Sequence, residues 1–117
     1  GFSYHSYGAG DCLLTHDDTD QGHTTGGRPA PRRRIALVSY FHEQWDYDWG
    51  GELMIYAPAG ESQDGKPDLA ITHCIPPKPG SLVMFTVPRF HRVGRMDQTA
   101  GDHKRLSIAG WFMTEHA

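Results

Sequence analysis

With 117 residues, 38% of them hydrophobic, and a net charge of -3, the chain is sized for one domain built on a single core, and one domain over 1–117 is expected. That charge argues against a globally basic nucleic-acid binder or an anionic-membrane binder, and no apolar run approaches the roughly eighteen residues of a membrane span. The two cysteines, Cys12 and Cys74, do not make a disulfide framework and read as free buried thiols, which fits a reducing, cytoplasmic location.

Short stretches of strand-forming residues punctuated by glycine and proline follow one another, and none is long and periodic enough for a helix. The expected strands are Ser3 to Tyr7, Cys12 to Asp18, Arg34 to Phe41, Glu52 to Tyr56, Leu69 to Ile75, Ser81 to Thr86, His91 to Val93 and Arg105 to Phe112. Turn signals at Gly8-Ala9-Gly10, Gly50-Gly51, Pro58 to Gly65 and Pro76 to Gly80 separate them. Eight short strands in a chain of this size predict an all-β, cupin-like jelly roll, a double-stranded β-helix. Thr19 to Pro31 and Arg95 to His103 read as long mobile loops, the kind of segment in which a rigid barrel carries its specificity. The basic run of Arg28, Arg32, Arg33 and Arg34 reads as a solvated strand flank rather than a phosphate site. The chain begins in strand-like sequence without an initiator methionine, which reads as a trimmed or partial protein.

Chemistry concentrates first in Thr15-His16-Asp17-Asp18. On an extended strand His16 and Asp18 fall on one face, about 6.6 Å apart along the backbone, together with Cys12 and Leu14, while Leu13, Thr15 and Asp17 turn away. An imidazole and a carboxylate so spaced can grip one metal from adjacent corners. A histidine from a distant strand would complete a two-histidine, one-carboxylate face, which suits non-haem Fe(II) and leaves positions open for oxygen chemistry. His91, after the apolar strand Leu82-Val83-Met84-Phe85, competes for that third place with His42, His73 and His103, while His5, His23 and His116 sit in terminal or loop contexts. Sequence alone does not choose among them, and an H-x-D pair by itself also describes a polar turn leaving a strand.

Arg105 opens an apolar strand on which Arg105, Ser107, Ala109 and Trp111 share one face. A guanidinium inside a barrel is costly unless paired, and no acidic residue shares that face. A ligand carboxylate gripped by the planar fork would resolve the cost; the competing reading is a strand-edge arginine reaching solvent. Tyr40, closing the apolar strand Ile35-Ala36-Leu37-Val38-Ser39, needs a partner for its hydroxyl if buried, either that same carboxylate or packing at the strand end. Trp45 and Trp49 read as core or rim, and Trp111 as core, rim or pocket lining.

These blocks, in this order, resemble the Fe(II)/2-oxoglutarate-dependent oxygenases of the prolyl-hydroxylase type. The resemblance runs through Tyr7 to Asp18, Arg33 to Tyr40, Trp45 through Gly50-Gly51-Glu52-Leu53, Pro79 to Phe85, His91-Arg92-Val93 and Arg105 to Phe112. It is strongest to the branch that hydroxylates a proline of a small-subunit ribosomal protein, and weaker to the hypoxia-sensing prolyl hydroxylases. The resemblance implies His16, Asp18 and His91 as iron ligands and Arg105 on the distal carboxylate of 2-oxoglutarate, with Tyr40 and Ser107 beside it. It implies O2 as co-substrate, admits ascorbate as an accessory, and points to a proline in a flexible protein segment as substrate. In related halogenases the ligand carboxylate is replaced by a small residue, so the presence of Asp18 favours hydroxylation. The chain departs from the family in a longer spacing from His91 to Arg105 and in lacking the helices that precede the barrel and buttress its larger sheet. Two other classes stay open: a hydroxylase of free amino acids or other small molecules, and a non-catalytic cupin-like module with a structural metal.

Overall fold

The computed structural model describes residues 1–18, 24–25, 28–29, 32–61 and 64–114. Among these described residues ten strands run in chain order: β1 (Phe2–Tyr7), β2 (Leu13–His16), β3 (Thr24–Thr25), β4 (Arg28–Pro29), β5 (Arg32–Tyr40), β6 (Leu53–Glu61), β7 (Pro67–Ile75), β8 (Leu82–Thr86), β9 (His91–Val93) and β10 (Arg105–Thr114). They form two four-stranded sheets, β1-β10-β5-β8 and β2-β9-β6-β7, with β3 and β4 as a separate pair. Every pairing is antiparallel, and the two sheets face each other as a jelly roll. Two short 3-10 turns, Tyr47–Trp49 and Gln98–Ala100, interrupt the connections, each capped by an aspartate (Asp46, Asp97) that accepts a backbone N–H two residues on. Among the described residues there is no helix long and apolar enough to cross a membrane.

The sequence expectation of eight strands matches eight of these ten within a few residues. The pair β3–β4 falls inside the segment expected to be a mobile loop, Thr19 to Pro31; the remainder of that segment lies outside the described residues. The second expected loop, Arg95 to His103, is instead a packed connection. Met96 and Ala100 are each only 1% exposed. Its backbone is tied to both neighbours, with Met96 N donating to Asp11 O at 2.9 Å and Asp97 N to Trp49 O at 2.9 Å. Arg95 Nη1 adds a bond to Gly10 O at 2.6 Å. Cys12 and Cys74 are free thiols as read, but neither is buried: Cys12 is half-buried, and Cys74 is exposed on the outer strand β7.

The core forms where β5 and β10 face β6. Alternation on β5 and β6 buries Val38, Tyr40, Leu53 and Ile55, and Ile75, Val83, Phe85 and Ala109 pack against them. The opposite face of the first sheet exposes Phe2, Tyr4, Leu82, Met84 and Phe112. Towards one end of the space between the sheets the core gives way to a cavity of about 150 Å³, open to solvent on one side.

Candidate metal centre and cofactor pocket

β2 and β9 bring the first histidines together. Leu13 pairs with Val93 and His16 with His91, so β2 uses one more residue than β9 over the same interval and bulges. The bulge breaks the alternation expected from sequence. Leu13 and His16 both line the cavity, while Leu14 is 72% exposed rather than inward. The strand also ends at His16, so His16 and Asp18 do not share an extended face. Asp18 lies beyond it with φ of 61°, in the left-handed region that aspartate visits more readily than most residues. That turn, rather than strand periodicity, brings the carboxylate back to the imidazoles.

Asp18 Oδ1 lies 3.0 Å from His16 Nε2, and Oδ2 lies 3.1 Å from His91 Nε2. One donor atom from each of the three falls within 4.8 Å of the others. Each imidazole is oriented by its second nitrogen: Nδ1 of His16 donates to Leu14 O at 2.8 Å, and Nδ1 of His91 to Arg89 O at 2.7 Å. A carbonyl can only accept, so both Nδ1 atoms carry hydrogen and both Nε2 atoms face the carboxylate. Burial pushes the Asp18 carboxyl up, but hydrogen bonds from His16, His91 and Trp111 outweigh it and hold the group well below the usual carboxylate range. The hydrogen bond to Asp18 in turn raises His16 against the opposing effect of burial. Asp18 is therefore an ionised donor at neutral pH.

Arg105 stands in the same cavity, on β10, with Ser107, Ala109 and Trp111 in the alternation expected from sequence. It is 2% exposed, and Ser107 equally so. Arg105 Nε donates to Gly51 O at 2.9 Å and Nη2 to Tyr40 Oη at 3.1 Å, and the guanidinium lies over the rings of Tyr40 and Tyr7 at 4.9 and 5.4 Å. Burial lowers its pKa, and the groups that oppose this are the hydroxyls of Tyr40 and Tyr7, not a carboxylate. Tyr40, 1% exposed, backs Arg105 from outside the cavity lining, and burial raises its hydroxyl pKa despite the facing guanidinium. The Gly50-Gly51 turn makes the close approach possible. Gly51 has φ of 71°, and a Cβ there would stand 3.1 Å from Arg105 Cδ and 3.2 Å from Trp45 Cζ2.

The rival histidines are committed elsewhere. His42 is 6% exposed, with Nε2 on Pro77 O at 2.6 Å and Nδ1 accepting from Leu106 N at 3.1 Å, so neither nitrogen is free. His103 stacks on Trp49 at 4.3 Å, and His73 is exposed on β7 beside Thr72. His5, read from sequence as terminal, does line the cavity from β1 together with Tyr7. Its i, i+2 spacing to Tyr7 was the available signal. Trp111, half-buried at the cavity wall, donates its indole N–H to Asp18 Oδ2 at 3.0 Å, a contact across 93 residues that no local pattern announces.

The family model described as the 2OG-Fe(II) oxygenase superfamily matches residues 2–113. The chain belongs to this superfamily. The chain is 36% identical over 109 residues to the prolyl 3-hydroxylase OGFOD1 of Xenopus laevis, and 32% identical over 113 residues to the prolyl 3-hydroxylase sudestada1 of Drosophila melanogaster. Each match covers 91% of this chain but 18% of the relative, so the chain spans under a fifth of the length of the curated relatives it matches. Among solved structures it is similar to a prolyl-4-hydroxylase from Pseudomonas putida, with a TM-score of 0.65 and 26% identity over 96% of this chain and 50% of that one.

The superfamily implies Fe(II) and 2-oxoglutarate, and the donor set fits both. Two oriented imidazoles and one ionised carboxylate are the ligand types of the facial arrangement for Fe(II). A structural zinc site would be closed by four protein ligands, whereas three donors converge among the described residues. A buried arginine with no carboxylate partner among the described residues, in the same cavity, fits an acidic co-substrate.

Proposed function

We propose that the chain is the catalytic core of a 2-oxoglutarate-dependent prolyl hydroxylase acting on a proline within a protein segment. One observation carries the reading: a His-Asp-His cluster and a buried arginine with no carboxylate partner among the described residues line one cavity open to solvent. The similarity to relatives named as prolyl hydroxylases supplies the substrate class. The exposed apolar face of the first sheet supports reading this barrel as part of a larger protein.

In this reading His16, Asp18 and His91 hold the iron, and Arg105 takes the distal carboxylate of 2-oxoglutarate. Tyr40 steadies the guanidinium from behind, and Ser107 lines the same end. Bound there, Fe(II) and 2-oxoglutarate supply, with O2, the oxidising power that turns a substrate C–H into C–OH and releases succinate and CO2. The protein contributes position and dryness. The carbonyls of Leu14 and Arg89 fix both imidazole tautomers before any ligand arrives, so little rearrangement is needed on binding. Val38, Leu53, Phe85, Val93 and Ala109 line the cavity with apolar surface and limit water at the reacting centre. The reading includes ascorbate as accessory reductant and a reducing, cytoplasmic compartment.

The test is an anaerobic titration of metal-free protein with Fe(II) and then 2-oxoglutarate, followed by the visible charge-transfer band. A band that requires both additions and is lost in Asp18→Ala supports the site. No band from folded protein overturns it. Turnover with proline-containing peptides and with free amino acids, read as a mass gain of one oxygen, then separates a peptidyl from a small-molecule hydroxylase, and fragmentation of the product assigns the carbon.

A further inference from the structure

Asp18 is the least constrained of the three donors by its backbone. His16 and His91 sit in the β2–β9 ladder, and each has a carbonyl on Nδ1. Asp18 lies past the end of β2 in a left-handed conformation, where no ladder bond fixes its side-chain direction. Among the described residues three donors meet its carboxylate: His16 on Oδ1, and His91 with Trp111 on Oδ2. A metal ion bound by the two Nε2 atoms requires those atoms without hydrogen, so both histidine donors are given up when the site is filled. The indole N–H is not a ligand and cannot lose its proton, so it alone persists. It comes from β10, on the opposite sheet, and its ring is clamped by the Arg33 guanidinium 3.7 Å from the ring centroid.

We propose that Trp111 is the positioning residue of the metal centre: its indole N–H pins Oδ2 of Asp18 and presents Oδ1 to the ion. This rests on the reading of His16, Asp18 and His91 as the metal site. A pinned second oxygen also favours binding through one oxygen only, which leaves coordination positions for co-substrates. The clamp would tie the geometry of the centre to the sheet that carries Arg105, since Trp111 and Arg105 lie on the same face of β10.

The experiment is a titration of the full chain with Co(II), read by ligand-field absorbance, for wild type, Trp111→Phe and Trp111 replaced by benzothienylalanine. The last keeps the shape of the indole and deletes only its N–H, so it also guards against a Phe variant that fails to fold. Near-UV circular dichroism checks packing. Loss of an outer-shell partner of a metal ligand typically costs ten- to a hundredfold in metal affinity, so both variants should bind Co(II) at least about tenfold more weakly, with an altered band shape. Weakening in the Phe variant alone would overturn the proposal, because Trp111 would then be only a cavity wall. Unchanged affinity in both would overturn it while leaving the metal site intact. No Co(II) uptake by wild type would overturn the metal-site reading and this inference with it.

Discussion

Replacing Arg105 by methionine separates a residue kept for stability from one kept for a ligand. Two of the five N–H groups of the guanidinium are spent on Gly51 O and Tyr40 Oη, which leaves three for a carboxylate. A hydrogen bond to a charged group contributes about 1.5–3 kcal/mol, and discounting a two-point grip for non-additivity leaves about 3 kcal/mol. At 1.4 kcal/mol per decade, 2-oxoglutarate should bind about a hundredfold more weakly. Metal affinity should hold, since no atom of Arg105 touches His16, Asp18 or His91. The folding balance differs from that of most core substitutions. Losing the bonds to Gly51 and Tyr40 costs about 1.5–3 kcal/mol each, but removing a buried charge that has no carboxylate partner among the described residues relieves a desolvation penalty of comparable size. The ligand-free variant should therefore unfold at about the same temperature as wild type. The assay is calorimetric titration of 2-oxoglutarate into Co(II)-loaded protein, alongside Co(II) titration and thermal unfolding of the metal-free protein. Equal losses of metal and 2-oxoglutarate affinity, or a metal-free variant melting well below wild type, would refute the assignment.

Asp18→Ala should abolish metal binding, because it removes the one anionic donor and leaves His16, His91 and Trp111 donors facing a void; retention of Co(II) affinity within tenfold would contradict the site. Gly51→Ala forces a Cβ against Arg105 and Trp45 at positive φ, so it should cost about 1–3 kcal/mol of stability and weaken 2-oxoglutarate binding, measured by urea unfolding and calorimetry. His42, pushed below the usual imidazole range chiefly by burial, with Arg105 adding to the effect, stays neutral in the fold after the unfolded chain has charged. Its contribution is thus fully present above pH of about 6.5 and falls away as the pH drops towards the folded value. His16 has the opposite sign, since Asp18 raises it, so the informative quantity is wild type minus His42→Gln. That difference should shrink by up to about 1.4 kcal/mol per pH unit below about 6.5, and a flat difference would show that His42 is not held neutral.

What could be read from the chain and what could not divide along a physical line. Period-two alternation located Arg105, Ser107, Ala109 and Trp111 on one face, and the structure puts all four in the cavity wall. The same rule failed between Leu13 and Asp18. A bulge adds a residue without marking the sequence, so Leu13 rather than Leu14 turned inward, and Asp18 reached the histidines through a left-handed turn. His16 and Asp18 do come together there, as their residue types suggested, but for a different geometric reason. Arg95 to His103 was misjudged because its composition is polar, while its order comes from Met96 and Ala100 packing between distant backbones.

That failure also explains how the site is held. A carboxylate on a regular strand would be aimed by the ladder, and substitutions elsewhere would matter little to it. Here the ladder stops at His16, so the direction of Asp18 depends on contacts made through space, and of these only the one to Trp111 survives loss of the histidine protons. Arg105 is aimed in a comparable way, by the carbonyl of Gly51 and the hydroxyl of Tyr40, with its own strand fixing only the face it occupies. At both ends of the cavity the sheets supply residues of the right type on the right side, and single long-range hydrogen bonds supply the last ångström. Ligand affinity in this chain should accordingly be more sensitive to Trp111 and Gly51, which touch neither metal nor co-substrate in this assignment, than to the apolar lining around them.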